Sequence, residues 1–355
     1  MIVFYRVTPA SVVFFRDPRP FIAGEHNLAR LQFPPRVTPF LGALRTKFLE
    51  LKAKDEGKNV SELVKDKEID EQLKSISICW FSMLKDDEPL LPMPVDAFVT
   101  WKELPPARFV TSGENFSKAP LLVSKTQEEI KKSASYLTLE GFRKYQSGLR
   151  PSKSDFLSIE DLWKFENRVG LTLTPEAKTS ERSKFYRITV ARPKRGVGFL
   201  VGIEVEDKFW PKIPASFTTR LGGEGHIAVW ERVDDFAKAE PKDIRFKELV
   251  ALSHIPIKKV NSSKEIKISN WCIGKLDILG GWDYKNQRPK PLVKALAPGA
   301  SVVAQGYTSA YEIKFNGFGF QVLKDYLFSI EGDKPFLAKF SPELGEPNSL
   351  FIVKN

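Results

Sequence analysis

The chain has 355 residues, 42% of them apolar and 28% charged, which is the balance of a folded globular protein and excludes a disordered one. Its 55 Lys and Arg against 44 Asp and Glu leave a net charge of +11, which favours a polyanionic partner, although a lysine-rich solubilising surface gives the same total. Two distant cysteines, Cys79 and Cys272, exclude a disulfide framework and a CxxC metal motif and fit a reducing cytoplasm. The N-terminus has no basic region ahead of an unbroken apolar one, and no stretch has the length to cross a bilayer, so neither secretion nor a membrane is expected.

In chain order, the β-branched and aromatic residues at 2–15 predict one or two short strands interrupted at Pro9. A loop follows in FFRDPRPFIAGEHNLARLQFPP, and a helix then starts where Thr38 can cap and Pro39 suits the first turn. Leu41, Leu44, Phe48 and Leu51 recur at its helical spacing. The charge-rich segment 54–74 reads as a solvated helical insertion, 75–84 as a strand, and 94–111 as a further strand with Pro105 and Pro106 in its turns.

Thr126 and Glu129 form a capping-box pattern ahead of Ile130, Tyr136, Leu139, Phe142 and Tyr145, which predicts a partly amphipathic helix. Ser158 and Asp161 predict a short turn of helix running up to FENRVGL. Residues 184–192 and 196–204 read as a hairpin turning at Pro193–Arg195, and a short helix at 214–221 leads to a strand in HIAVWERV. Strand, helix, strands, helix, strand is the order of a ferredoxin-like βαββαβ domain with insertions. Residues 233–245 are polar and acidic and read as a link, and strands dominate beyond 246. The expected organisation is a first domain at 1–240, with insertions near 54–74 and 105–165, and a β-rich second domain at 241–355.

Four segments carry candidate chemistry. Every Lys or Arg between residues 14 and 45 is arginine, among them Arg16, Arg19 and Arg30, and the guanidinium fork bonds phosphate bidentately. Pairing with Asp17 and Glu25 to staple the loop is the competing account. His26 has the chemistry for general acid or base work, although no second residue at a diagnostic spacing completes a catalytic set; contact with RNA is the simpler role.

LGGEGHIA, with Gly222, Gly223, Gly225 and His226, and NGFGFQVL, with Gly317 and Gly319, allow backbone amides to approach phosphate. Tight hairpins use the same residues, and neither segment is a nucleotide-binding fingerprint. In GGWDYKNQRPKPL, Trp282 and Lys290 combine a stacking surface with a cation, or else the tryptophan anchors a loop. The Asp and Glu pairs have no metal-ligand spacing, and no cofactor is expected.

FFRDPRPFIAGEHNLAR, FPPRVTPFLGALRT, ENRVGL, GVGFLVGIE, LGGEGH, GWDYKNQRPKPL, PGASVV and GFGF occur in an order that resembles the Cmr-type RAMP subunit of type III-B CRISPR effector complexes. The resemblance implies an α+β chain of two ferredoxin-like RAMP domains facing across a cleft. It implies a non-catalytic role in RNA-guided antiviral defence, holding the 5′ tag of the crRNA and docking on the large polymerase-like subunit and a neighbouring backbone RAMP subunit. The RNA-facing positions it implies are Arg16, Arg19, Arg168, Gly222, Gly223, Gly225, His226, Gly317 and Gly319. The alternative is a metal-independent RAMP endoribonuclease with His26 as its acid or base.

Overall fold

In the strand β1 (Ile2–Pro9), Val3, Tyr5 and Val7 are buried while Phe4, Arg6 and Thr8 lie on the opposite, half-covered side, the period of two that makes a strand. The structure is a computed structural model describing residues 2–18, 28–64, 66–95, 99–100, 108–110, 121–123, 130–131, 135–146, 151–173, 180–205, 214–233, 248–256, 264–272, 276–283, 288–305, 326–330 and 351–354.

Helix α1 (Thr38–Glu56) packs on this sheet, with Phe40, Leu41, Leu44 and Phe48 buried and the Phe40 ring edge-on to Phe81 and Phe199 at 4.9 Å each. Its N-cap is Val37, not Thr38. The Val37 carbonyl accepts from the amides of Phe40 and Leu41, and Pro39 falls where no amide hydrogen is needed. Two short helices, Val60–Leu63 and Lys67–Lys74, follow, and Leu63 and Ile69 bury against Leu49 and Ala53, so segment 54–74 is solvated on one side only.

The strands that follow are β2 (Ser77–Lys85), β3 (Glu88–Pro92), β4 (Trp163–Leu173), β5 (Ser180–Pro193), β6 (Val197–Glu204), β7 (Ser216–Arg220) and β8 (Ile227–Val233). The main sheet is antiparallel throughout, ordered Phe156–Leu157, Tyr136–Thr138, β3, β2, β6, β1, β8, β7. Together with α1 it makes an α+β architecture around one large core.

Three further expectations are corrected. The helix anticipated from Ile130 begins only at Leu139, because Tyr136–Thr138 is held as a strand between β3 and Phe156–Leu157. Thr138, through its hydroxyl, accepts the Gly141 amide at the helix start, while Thr126 and Glu129 lie outside the described residues. Residues 214–221 are not helical but include β7. Phe217 stacks on Trp230 at 5.5 Å and Thr219 accepts the Trp230 indole N–H at 2.8 Å, both across the β7–β8 ladder.

Finally, β5 and β6 do not pair with each other. β5 pairs with β4 and β6 lies between β1 and β2, because the two strands serve different cores. Ile188 and Val190 bury against Val12 and Phe14, and Phe199, Val201 and Ile203 bury in the main core. The helical turn capped by Ser158 and Asp161 is present as Ile159–Leu162, with FENRVGL beyond it on β4.

The later strands form a five-stranded sheet ordered Tyr326–Ile330, Lys264–Cys272, Ser301–Gln305, Glu248–Ala251, Phe351–Lys354. By chain position its last four strands stand second, third, first, fourth, and β2, β6, β1, β8 stand in the same order within the main sheet. Val250 and Leu252 join the main core. The expected boundary at 240 and most of the link at 233–245 lie outside the described residues.

Candidate nucleic-acid interface

Residues 12–15, VVFF, alternate between two cores: Val13 and Phe15 enter the main one, Val12 and Phe14 a smaller one with Ala29, Ile188 and Val190. Val13 is fastened to β5 by two backbone bonds with Ala191, at 2.8 and 2.9 Å. The chain then leaves and returns as a narrow ladder: Arg16 bridges Leu31, the Asp17 amide donates to the Arg30 carbonyl at 3.0 Å, and the Gln32 amide donates to the Phe15 carbonyl at 2.7 Å. Just before the return, Leu28–Ala29 pairs in parallel with Arg187 and Ile188 of β5. Arg16 and Arg30 are therefore exposed at the foot of a strand-like excursion held in place by its own backbone. Arg19 and His26 lie outside the described residues.

The glycine-rich turn between β7 and β8 is clipped to this ladder. The Gly223 amide donates to the Phe14 carbonyl at 2.7 Å, and the Leu221 amide to the His226 carbonyl at 2.7 Å. Gly222 has φ +78°, and a Cβ there would lie 2.5 Å from the Phe14 oxygen, so only glycine allows the approach. Gly225 has φ +68° with open space where a Cβ would sit. The turn that carries Gly222, Gly223, Gly225 and His226 is thereby placed within two residues of Arg16.

Arg168, on β4, completes this side. Its side chain is 40% exposed and its guanidinium donates to Glu166 at 3.3 Å, while the Arg192 Nε donates to the other Glu166 oxygen at 2.6 Å. These two cations, Arg192 first, hold the Glu166 carboxyl down at about 2. Burial, then the nearby Arg168 charge, lowers the pKa of His226 below its ordinary value, with Glu224 opposing. Both causes favour the neutral imidazole, which can stack or share a hydrogen bond while the arginine supplies the positive charge.

The segment 280–290 reaches the same ladder. A Cβ on Gly280 would lie 2.7 Å from the Pro18 Cβ, and Arg36 donates both to the Gly280 carbonyl and, through Nε at 2.6 Å, to the Gln32 side-chain oxygen. Trp282 pairs with Pro289, and the Lys290 amide donates to the Gly281 carbonyl at 2.9 Å, so the backbones of Trp282 and Lys290 share one small hairpin beside Pro18. Gly317 and Gly319 lie outside the described residues.

The Arg36–Gln32–Gly280 clamp and the shared carboxylate of Glu166 were not anticipated. Glu166 and Arg168 sit two apart on one strand, so their common face was readable from the period of two. Arg192 requires the cross-strand register, in which Glu166 lies opposite Val190 and Lys164 opposite Arg192. Among the described residues no group of three His, Cys, Asp or Glu side chains could hold a metal ion, and no helix is long and apolar enough to cross a membrane.

The arginine-bearing ladder, the glycine-rich turn, Arg168 and His226 are thus joined on one strand-built framework, and these are residue types that can receive an anion. Residues 5–307 match the model of the CRISPR-associated protein (Cas_Cmr3) family, and the chain belongs to that family, the Cmr-type RAMP subunit of type III-B CRISPR systems that its eight motifs resemble. No curated protein matches the sequence.

Among solved structures, it is similar to a chain in the cryo-EM structure of the type III-B Cmr-beta bound to cognate target RNA and AMPPnP. The identity is 18%, the TM-score 0.48, and 84% of this chain and 86% of that one are covered. It is also similar to a chain of the Csm3–Csm4 subcomplex of the type III-A CRISPR-Cas interference complex, at 11% identity and TM-score 0.42, covering 86% of this chain and 94% of that one. A third similarity is to a chain of the Csm1–Csm4 cassette in complex with AMPPNP, at 12% identity and TM-score 0.36, covering 86% and 89%.

Proposed function

We propose that this chain is a non-catalytic RNA-binding subunit of a type III-B CRISPR effector complex, holding the 5′ tag of the guide RNA. It docks on the large polymerase-like subunit and on a neighbouring backbone RAMP subunit. The observation that carries the reading is the bond from the Gly223 amide to the Phe14 carbonyl, which locks the glycine-rich turn against the arginine-bearing ladder. Arg16 and Arg168 neutralise phosphates, the open backbone at Gly225 lets a phosphate approach closely, and His226 meets a base or a ribose. The four-strand order common to both sheets supports reading each as a ferredoxin-like domain, the arrangement expected of two RAMP domains.

The test is the salt dependence of guide RNA binding in the assembled complex. Arg16→Gln with Arg168→Gln should weaken binding and reduce the slope of log affinity against log salt by about 1.4, at roughly 0.7 per lost single-strand phosphate contact. An unchanged affinity and slope would remove the assignment.

A further inference from the structure

The turn between β7 and β8 holds a left-handed residue that is not glycine. Gly222 and Gly225 adopt positive φ without a steric penalty, but Glu224 does so at +59° with a full side chain. Among the described residues only Asp86 and Asp87 share that conformation without being glycine. Their short carboxylates are engaged within the fold, Asp86 by Lys85 at 2.6 Å and Asp87 by Arg6. Glu224 is longer and exposed, and its carboxylate makes no hydrogen bond or ion pair with any described residue. The backbone gains nothing from glutamate here, since glycine would relieve it, so the carboxylate is what the residue contributes.

The backbone that carries this carboxylate is anchored on both sides. The Gly223 amide is bonded to Phe14, and the bond from the Leu221 amide to the His226 carbonyl closes the turn. Burial and the Arg168 charge lower the His226 pKa while Glu224 opposes them, so carboxylate and guanidinium act on the same imidazole. At the neck of the turn Arg220 lies across the ladder from Ile227, both exposed, Ile227 to 50%.

An ionised carboxylate only accepts hydrogen bonds and repels phosphate, so Glu224 does not share the phosphate-receiving role of the neighbouring amides and guanidiniums. It needs a donor. A cationic side chain from a protein partner would add positive charge to a neighbourhood that already holds Arg168 and Arg220, whereas a nucleobase brings donors without charge. Among the RNA bases guanine presents two adjacent donors on its Watson–Crick edge, N1–H and the N2 amine, which match the two oxygens of one carboxylate. The planar guanidinium of Arg220 and the aliphatic Ile227 suit the face of such a ring.

We propose that Glu224 is a specificity-determining residue that selects a guanine in the bound RNA, its carboxylate accepting from the guanine N1–H and N2 amine while Arg220 and Ile227 support the ring. It rests on the reading that the chain holds the guide RNA tag, and adds which base the glycine-rich turn selects.

The experiment measures the affinity of the full chain for short fluorescent oligo(U) RNAs carrying one central guanine, inosine, adenine or cytosine. The parent chain should bind the guanine RNA roughly tenfold more tightly than the adenine RNA, with inosine, which lacks the N2 amine, between them. Glu224→Gln should bring all four RNAs to within about twofold of one another, because an amide accepts through one oxygen only. Glu224→Gly should lose the guanine preference while melting no lower than the parent, since glycine relieves the left-handed backbone.

A parent chain indifferent to guanine, or a guanine preference that survives in both variants, overturns the proposal. Release of Glu224→Gln from the assembled complex with its guanine preference intact does so too, and makes the carboxylate a protein contact. If Arg16→Gln with Arg168→Gln leaves tag-bearing RNA bound normally while Glu224→Gln abolishes the guanine preference, the tag assignment fails and the guanine contact stands. A lowered salt slope in that double variant beside a parent chain indifferent to guanine leaves the tag assignment standing and removes the guanine contact.

Discussion

At Asp86–Asp87 and at Gly222–Gly225 the chain turns through the same left-handed backbone, with φ of +47° and +69° at the first and +78°, +59° and +68° at Gly222, Glu224 and Gly225 of the second. At the first turn, between β2 and β3, the charges are matched within the fold. Lys85 bonds Asp86 at 2.6 Å, Arg6 pairs with Asp87, and the Asp86 amide donates to the Gly196 carbonyl at 2.9 Å. At the second, the backbone is docked on Phe14, and Arg168, whose charge acts on His226, shares Glu166 with Arg192. Turn geometry is thus common to a hairpin that only reverses the chain and to one that we propose meets an anion. What separates them is the charge balance of the surroundings.

Substitution at the glycines tests the comparison most severely. Gly222→Val should cost about 2–6 kcal/mol in urea unfolding, since left-handed strain and overpacking each carry about 1–3 kcal/mol. Gly225→Ala, in open space, should cost only about 1 kcal/mol. Equal costs would show that contact with Phe14 does not set the turn.

The pH dependence of Glu166 comes next. Its carboxyl is held at about 2 in the fold against 4.5 ordinarily, so the stability it contributes is complete above 4.5 and is lost as the pH falls through about 2. Glu166→Gln should flatten the acid limb of the stability profile within that window, as followed by thermal unfolding at stepped pH.

A smaller effect is expected at His226, titrated by NMR. Arg168→Gln should raise its pKa only part of the way back to 6.5, because burial is the larger cause, and Glu224→Gln should lower it further. A histidine depressed in the fold costs stability once the unfolded chain gains its proton, so its contribution is lost as the pH falls from 6.5 through the folded value. Smallest is Asp87→Asn at the paired turn, expected to cost less than about 1 kcal/mol, as exposed ion pairs do.

Much of this was legible in the chain itself because local physics wrote it there. The amphipathic repeat of Leu41, Leu44 and Phe48 makes α1 wherever it packs, the Ser158–Asp161 box starts its helical turn, and β1 and β8 show the alternation of a half-buried strand. The illegible parts are those in which two segments had to choose a partner. KFYRITVAR and GVGFLVGIE look like a hairpin because both are strands separated by a short turn, but pairing is decided by which core each side chain fills. Ile188 and Val190 fill one core, and Phe199 and Val201 the other. In the same way SFTTR becomes a strand because Trp230 offers Phe217 a stacking surface and Thr219 an indole N–H.

The candidate site divides along the same line. Residue chemistry singled out Arg16 and the glycines at 222, 223 and 225 as candidates, because phosphate-facing loops need guanidiniums and backbones without a Cβ, whereas Arg168 and His226 entered only through the resemblance. The order of eight short motifs was sufficient to reach the family. Only the tertiary structure brought Phe14 to Gly223, Arg168 to His226, and Gly280 to Pro18 and Arg36. Those contacts join residues about 60 to more than 260 positions apart, beyond the reach of any local propensity, and they exist because burying two cores at once forces the strands that carry them to one edge of the sheet.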